Sequence, residues 1–353
     1  MRYLGLDVHT TATVWCLLDE DGEVVERGKT PTTAPALTAL VGRLGEEHEL
    51  LAGQEVGTMS YFVYDVMTAA GVKLLSFNAH QLRMIASSRK KTDRRDAYWI
   101  AKALQTRMMP HPVYIPTGQV RRLRQLLSQR DAVSCAQKRW LLRARTSVRA
   151  TGHAVPPGRT VAAILRALLS EPEGIDEGLA EELERCQRMH EALSGELEQL
   201  EATIRCESRD IDAIQRLQTI PAVGLWVSVT IYAWVGEVSR FPSARSLAAY
   251  AGVVPSVWQS GASKRSGGIT KQGSPTLRRM LTQAGHVLLW RCRSAEAAPL
   301  KAIPMRAHTA RNRRKVAVVA AARHILRIAF YVLRDGTVYD PARLAAGEPA
   351  TAE

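Results

Sequence analysis

Asp7 ends an apolar run, Tyr3-Leu4-Gly5-Leu6-Asp7, and Glu55 closes another in Gln54-Glu55-Val56-Gly57. A lone acid in an apolar strand is costly unless it has a partner. Two further acids, Asp93 and Asp96, stand three apart in Lys91-Thr92-Asp93-Arg94-Arg95-Asp96-Ala97, which puts both on one face of a helix start. Carboxylates from two strand ends and a helix suit a pair of magnesium ions, because hard cations take oxygen ligands. Two such ions can clamp the attacking and leaving oxygens of a phosphodiester. The cations Arg89, Lys90, Lys91, Arg94 and Arg95 surround the helix acids. A plainer reading makes Asp93 an acid favoured by the helix dipole and leaves Asp96 solvated.

A second candidate is a nucleophile. Gln259-Ser260-Gly261 falls in a Gly-, Ser- and Lys-rich stretch over 255–273 that reads as a flexible loop, and Lys264 and Arg265 follow closely. A serine hydroxyl needs activation and an open approach to phosphorus. Neighbouring cations and metal ions can stabilise the charge that develops. Spacing alone does not separate Ser260 from Ser256, Ser263 and Ser266.

Alternating strands and helices must position the acids. The pattern predicts a strand over 3–8 and a second over 12–18, with a tight turn at Asp21-Gly22 and a continuation at Val24-Val25. It predicts a helix over 34–47, a strand over 50–56, a helix over 61–70, a strand over 72–77 and a helix over 93–107. Strands separated by helices indicate an α/β sheet. Pro110, Pro112 and Pro116 then end the first domain. A long basic helix follows over 120–150, and 151–174 reads as a linker with a short apolar patch. Leu179, Leu183, Cys186, His190, Leu193, Leu197, Leu200 and Ile204 alternate four and three apart, the rhythm of a coiled coil with His190 as a register-setting or edge residue. From 210 onward the chain reads as mainly helical, with a break at Ile220-Pro221-Ala222-Val223-Gly224 that can turn backbone N–H groups toward phosphate. The expected domains are 1–115, 116–209 and 210–335, with a tail over 336–353.

Charge is segregated along the chain. The net charge is +14, which favours polyanionic partners. Residues 83–149 carry seventeen Lys and Arg against three acids, and 264–334 carry sixteen against one, Glu296. The second block includes Lys271, Arg278, Arg279, Arg313, Arg314 and Lys315. Residues 171–212 reverse the balance, with four cations against fourteen acids. Two blocks can track a phosphate backbone and the third cannot. At 46% hydrophobic the chain is not disordered. Its longest apolar runs are interrupted by charges or prolines, so no membrane partner is expected, and the N-terminus lacks the basic head and apolar block of a signal peptide. Five scattered cysteines without a C-x-x-C pair argue for reduced thiols in a cytoplasmic protein, and association with the bacterial nucleoid is the expected location.

These residues carry a resemblance. The strand ending at Asp7, the segment Glu55-Val56-Gly57-Thr58 and the run from Lys91 to Ala97 are similar to the motif set of the DEDD insertion-sequence transposases, whose first domain resembles the Holliday-junction resolvase RuvC. The C-terminal half resembles the same family in Arg240-Phe241-Pro242-Ser243-Ala244-Arg245, Ala249-Tyr250-Ala251-Gly252, Gln259-Ser260-Gly261 and Ile269-Thr270-Lys271-Gln272-Gly273-Ser274, followed by Leu277-Arg278-Arg279. One departure is Ala222-Val223-Gly224, where the family usually has Gly-Ile-Gly. The resemblance implies an RNase H-like domain, a magnesium site at Asp7, Glu55, Asp93 and Asp96, and Ser260 as the catalytic serine. It further implies that an element-encoded structured RNA selects donor and target DNA. The coiled coil suits assembly into a homodimer or homotetramer.

The expected activity is cutting and rejoining of DNA by a recombinase. Two rival readings exist. A sugar kinase or related ATPase also begins with a strand like that ending at Asp7, but it needs Gly-rich phosphate and adenosine loops, and no Asp-x-Gly-Gly stretch supports them. The other is a DNA-binding protein without cutting, architectural or a resolvase-like relic, against which the intact acid set argues; a RuvC-like structure-specific nuclease is the alternative activity.

Overall fold

The computed structural model describes residues 1–79, 81–82, 93–170, 175–260, 263–311 and 314–342. Side chains at 93–94, 257–260, 263–266, 303 and 306–311 lie outside that description. The chain divides into two compact units, Met1–Pro116 and Thr117–Glu353.

The first unit is built on a five-stranded sheet. β1 (Arg2–Val8), β2 (Ala12–Leu18) and β3 (Val24–Pro31) form an antiparallel meander, and β4 (Leu50–Glu55) and β5 (Lys73–Phe77) join it in parallel, giving the order β3-β2-β1-β4-β5. Gly22 takes a positive φ of 83° in the expected turn between β2 and β3. Strand alternation divides the core between two faces. Leu4, Leu6, Trp15, Leu17 and Ala52 pack with α1 (Ala34–Gly45) and α2 (Ser60–Ala69). Val14, Cys16 and Leu18 pack on the opposite face with Ala97 and Ala101 of α3 (Asp93–Gln105). This three-layer arrangement is consistent with the RNase H-like fold that the resemblance implies.

Two glycines set how closely α3 lies on the sheet. A Cβ at Gly5 would stand 2.0 Å from the Ala97 carbonyl oxygen and 2.6 Å from the Ala101 nitrogen. A Cβ at Gly53 would stand 2.9 Å from Ile100 and 3.0 Å from Leu104. Helix and strand backbones therefore meet where neither strand has a side chain.

The second unit begins with a helical hairpin. α4 (Gly118–Ala150) and α6 (Glu177–Ser208) run antiparallel, as the pairs Arg122–Glu207 at 3.1 Å, Gln137–Ser194 at 2.8 Å and Arg143–Glu182 at 3.0 Å require. Arg130 donates its Nε to Glu201 at 2.8 Å. Part of the basic helix is thus neutralised by the acidic segment of the same chain, so fewer of its arginines are left for phosphate than a count along the sequence suggests. Of the heptad positions, Leu179, Leu183, Cys186, His190 and Ile204 are buried, while Leu193, Leu197 and Leu200 are half-buried. Burial holds the His190 imidazole below its ordinary pKa.

The stretch read as a linker over 151–174 contains a helix, α5 (Val161–Leu169), and this corrects the sequence reading. Thr160 caps it by accepting from the Ala163 N–H at 3.2 Å. Its Val161, Ile164, Leu165 and Leu168 are buried against Ala144 and Val148 of α4 and Leu179 and Leu183 of α6. The apolar patch is a third layer under the hairpin.

The remaining helices share one core. They are α7 (Asp212–Gln218), α8 (Leu225–Val235), α9 (Ala244–Tyr250), α10 (Pro275–Trp290), α11 (Ala298–Arg311) and α12 (Arg314–Asp335). α12 alone is long and apolar enough to cross a membrane by length and composition among the described residues. Its Ala317, Val318, Ala321, Ile325, Leu326 and Ala329 are buried in this core, which accounts for its hydropathy.

Candidate functional site

Parallel register brings two of the four acids together. Leu6 pairs with Gln54, so Asp7 and Glu55 come next at the C-terminal ends of β1 and β4. Alternation places both on the face that carries Gly5 and Gly53, the face covered by α3. The direction of α3 follows from its contacts. Lys102 and Gln105 reach the β2–β3 turn at the carbonyls of Gly22 (3.5 Å) and Glu20 (2.9 Å), beside the start of β1. Its first turn, with Asp93 and Asp96, therefore lies at the Asp7 end of the sheet. Both residues are in α3, but the Asp93 side chain lies outside the described residues. No group of three or more His, Cys, Asp or Glu side chains within reach of one metal ion occurs among the described residues. Oxygen donors from two adjacent strand ends nevertheless form the kind of set that a hard divalent cation takes.

Three residues near these acids escaped the sequence reading. His9 lies with Nε2 3.3 Å from Oδ2 of Asp7, whose side chain is only 18% exposed. The His9 carbonyl accepts from the Thr32 hydroxyl at 2.8 Å, which fixes the turn after β1. The Asp7-Val8-His9 spacing was the available signal, because a histidine one residue beyond a strand end lies within reach of an acid in its last residues. Gln54 is fully buried and donates its Nε2 to the Ser60 carbonyl at 3.1 Å and the Ser76 hydroxyl at 3.0 Å. Ser60 in turn accepts from the Gly57 N–H at 2.6 Å. This network pins the end of β4 that presents Glu55. Nothing in the local sequence announces it, because its members lie on different elements.

The expected loop over 255–273 is a two-stranded antiparallel ribbon, a second correction. β6 (Pro255–Ser260) pairs with β7 (Ser263–Ile269), and Ser260 opposite Ser263 is the last rung before residues 261–262, which lie outside the described residues. The backbone thus holds Ser260 at the ribbon tip. The side chains of Ser260, Lys264 and Arg265 lie outside the described residues. The root of the ribbon explains two motif glycines. Gly252 (φ 67°) and Gly273 (φ 83°) sit where a Cβ would come within 2.0 Å of the Gln272 oxygen and 1.9 Å of the Tyr250 oxygen. Lys271, at φ 55°, donates its N–H to the Gly252 carbonyl at 3.2 Å. Arg278 Nη1 bonds the carbonyls of Ala251 and Gln272 at 3.4 and 3.2 Å, tying the start of α10 to the same root.

The remaining cations divide by location. Arg89, Lys90, Lys91 and Arg313 lie outside the described residues, as does the Arg94 side chain. Arg95, Lys271, Arg314 and Lys315 are exposed. Arg279 pairs with Asp131 of α4 yet keeps half of its side chain exposed. Arg245, Arg323 and Arg327 line a cleft of about 330 Å³ together with His324. Burial, with Arg327 beside it, pushes the His324 imidazole down to about 4, so it is neutral and adds no charge there at pH 7.

At the break before α8, Ala222 takes φ 68°, a left-handed conformation that costs an L-residue about 1–2 kcal/mol. Ala222→Gly is therefore expected to raise stability by about 1 kcal/mol after the greater unfolded-state entropy of glycine is counted. A urea midpoint at higher concentration with unchanged slope would register it. A lower midpoint would show that the Ala222 methyl, which packs on the core, outweighs the strain.

Two family models match the chain. One described as a DEDD transposase of the IS110 type matches residues 4–151, and one described as the transposase IS116/IS110/IS902 family matches residues 214–300, together more than half of the sequence. The chain is 24% identical over 298 residues to the transposase of insertion sequence element IS1111A from Coxiella burnetii, covering 82% of this chain and 78% of that one. A probable family 20 transposase of Pseudomonas aeruginosa is 25% identical over 276 residues, covering 74% of this chain and 80% of that one. The transposase of insertion sequence element IS1328 from Yersinia enterocolitica is 27% identical over 179 residues, and there the match spans about half of each, 50% and 53%. With Asp7 and Glu55 on a mixed α/β sheet in one matched segment and its ribbon in the other, the chain belongs to the IS110 family of DEDD insertion-sequence transposases.

Proposed function

We propose that this chain is the transposase of an insertion sequence and moves it by breaking and rejoining DNA phosphodiesters. The observation that carries this reading is the placement of Asp7 and Glu55 side by side at the C-terminal ends of the central strands β1 and β4, on the face covered by α3, in a chain that matches the family at both ends. Asp7, Glu55, Asp93 and Asp96 would hold divalent metal, for which Mg²⁺ is the choice, and a bound cation there would neutralise charge on the phosphodiester oxygens. Ser260 is the proposed nucleophile. Its Oγ forms a bond to phosphorus as the bond to one DNA oxygen breaks, and that oxygen leaves as a hydroxyl with the proton serine gives up. A hydroxyl of the incoming strand then displaces Oγ, which regains a proton. Each step exchanges one phosphodiester for another, so no external energy source is needed.

A structured RNA encoded by the element is the proposed selector of donor and target. Base pairing would then read sequence while the protein reads backbone and shape. The exposed arginines and lysines of the second unit support this role. Exchange of four strand ends calls for several copies of the chain, a dimer or tetramer. The cytoplasmic nucleoid is the proposed place of action.

The test is recovery of the native protein from cells that carry its element, followed by sequencing of bound nucleic acid. Element-encoded RNA and element-end DNA are the expected cargo, with affinity falling steeply as salt rises. Replacing Arg314 and Lys315 with Gln should weaken binding without altering sequence preference. Binding indifferent to salt, or cargo unrelated to the element, would count against RNA guidance.

A further inference from the structure

We propose that a groove on α10 is a stacking site for an unpaired nucleotide of a bound nucleic-acid strand. The proposal rests on the nucleic-acid reading above and adds to it a particular place and ligand form. The groove has a volume of about 780 Å³ and is lined by Trp290, His286, Arg279, Arg291 and Arg314 among others. Four arginines and no carboxylate line it among the described residues.

Trp290 is the central feature. It is 37% exposed in a groove lined by arginines. It stands one turn from His286 on α10, and the two rings lie 5.2 Å apart at 40°. The Arg314 guanidinium, from the start of α12, lies over the indole at 4.5 Å. An exposed aromatic beside arginines is the combination with which proteins hold single strands: the ring takes a base face, and the cations take phosphates.

The geometry of the support is firm enough for such a platform. Gly285, next to His286, brings α10 against α12, because a Cβ there would stand 2.6 Å from the Val318 oxygen and 3.2 Å from the Ala322 nitrogen. Leu288 and Leu289 are buried in the core beside Trp290. The indole therefore projects from a helix that cannot retreat from it.

The charge and the ring together choose the occupant. Arg279 already pairs with Asp131, and Arg278 with the carbonyls of Ala251 and Gln272, so a protein partner covering Trp290 would need carboxylates for Arg291 and Arg314 beside the ring. A duplex would satisfy the arginines but offers no exposed base face, since its bases stack on each other. Only a strand with an unstacked base satisfies both. Such a base occurs in an RNA loop or bulge and in a DNA end frayed for strand exchange.

The test is equilibrium binding of the full-length chain to fluorescently labelled 20-nucleotide probes of one sequence, as single-stranded DNA, single-stranded RNA and duplex DNA. Trp290→Ala should lower affinity for single strands about tenfold or more while duplex affinity is unchanged, and Trp290→Phe should keep most of it. Arg291→Gln should reduce the dependence of single-strand affinity on salt by nearly one counterion, whereas Trp290→Ala should leave that slope intact. The arm that shows the Trp290 effect identifies DNA or RNA as the source, and an equal effect in both means that the site takes either. Full single-strand affinity in Trp290→Ala overturns the site alone. So does an equal loss for single strands and duplex, which is the mark of a structural role. A parent protein that binds none of the probes overturns the nucleic-acid reading itself.

Discussion

Ser260→Ala protein is expected to lose recombination by about a thousandfold or more, together with a covalent protein–DNA adduct that the parent forms during reaction. The adduct would be a phosphoserine ester, seen as a mobility shift that survives denaturant. Nucleic-acid affinity should not change, because one hydroxyl contributes little to a large ionic interface. The fold should also persist, since Ser260 is the final rung of its ribbon. The roots of that ribbon at Gly252 and Gly273 are remote from the substitution in the ladder. Ser263→Ala, directly across the ladder, and Ser266→Ala are the controls and should recombine normally. They remove the same hydroxyl from the same ribbon, so they separate a nucleophile from a general contribution of serines to the loop. Undiminished recombination by Ser260→Ala would point to attack by water or a DNA hydroxyl instead. That mechanism needs the acids and no serine.

How far the sequence could be read depended on whether a signal was local. β1, β2, β4 and β5 and helices α1 to α3 are legible because their apolar residues repeat with the period of the element, and each lies near its predicted bounds. Asp7 and Glu55 were candidates because each closes an apolar strand. Their adjacency was not legible, because it depends on parallel register, which no single segment encodes. α5 was missed because nine residues between Pro156-Pro157-Gly158 and an acidic stretch are too few to outweigh the surrounding breakers. The β6–β7 ribbon was missed because Gly267, Gly268 and the serines hide its alternation. Along the sequence the opposite charges of α4 and α6 form separate blocks, whereas in the fold Arg122, Arg130 and Arg143 pair with Glu207, Glu201 and Glu182. Gly252 and Gly273 stood out as motif positions, but only the fold supplies the reason, which is contact between two backbones.

Asp7→Ala and Asp96→Ala are expected to abolish recombination while the protein stays folded. Asp7 is mostly covered and faces His9 at 3.3 Å, and water can take the place of that contact at the half-exposed imidazole, so loss of the pair should cost below about 1 kcal/mol. Loss of catalysis would then reflect charge and not collapse. Gly5→Val provides the contrast. Its side chain would occupy the space of the Ala97 carbonyl and drive α3 from the sheet, so thermal stability should fall together with activity. A Mg²⁺ titration separates the cases further. The parent should gain thermal stability as metal binds the folded state, and Asp7→Ala should not. Normal recombination by both aspartate variants would remove the metal-site proposal. The adduct then tells how acids and serine divide the work. If Asp7→Ala forms no adduct, the acids are needed for the attack by Ser260 itself. If it accumulates adduct without joined product, they are needed only to release the serine to the incoming strand.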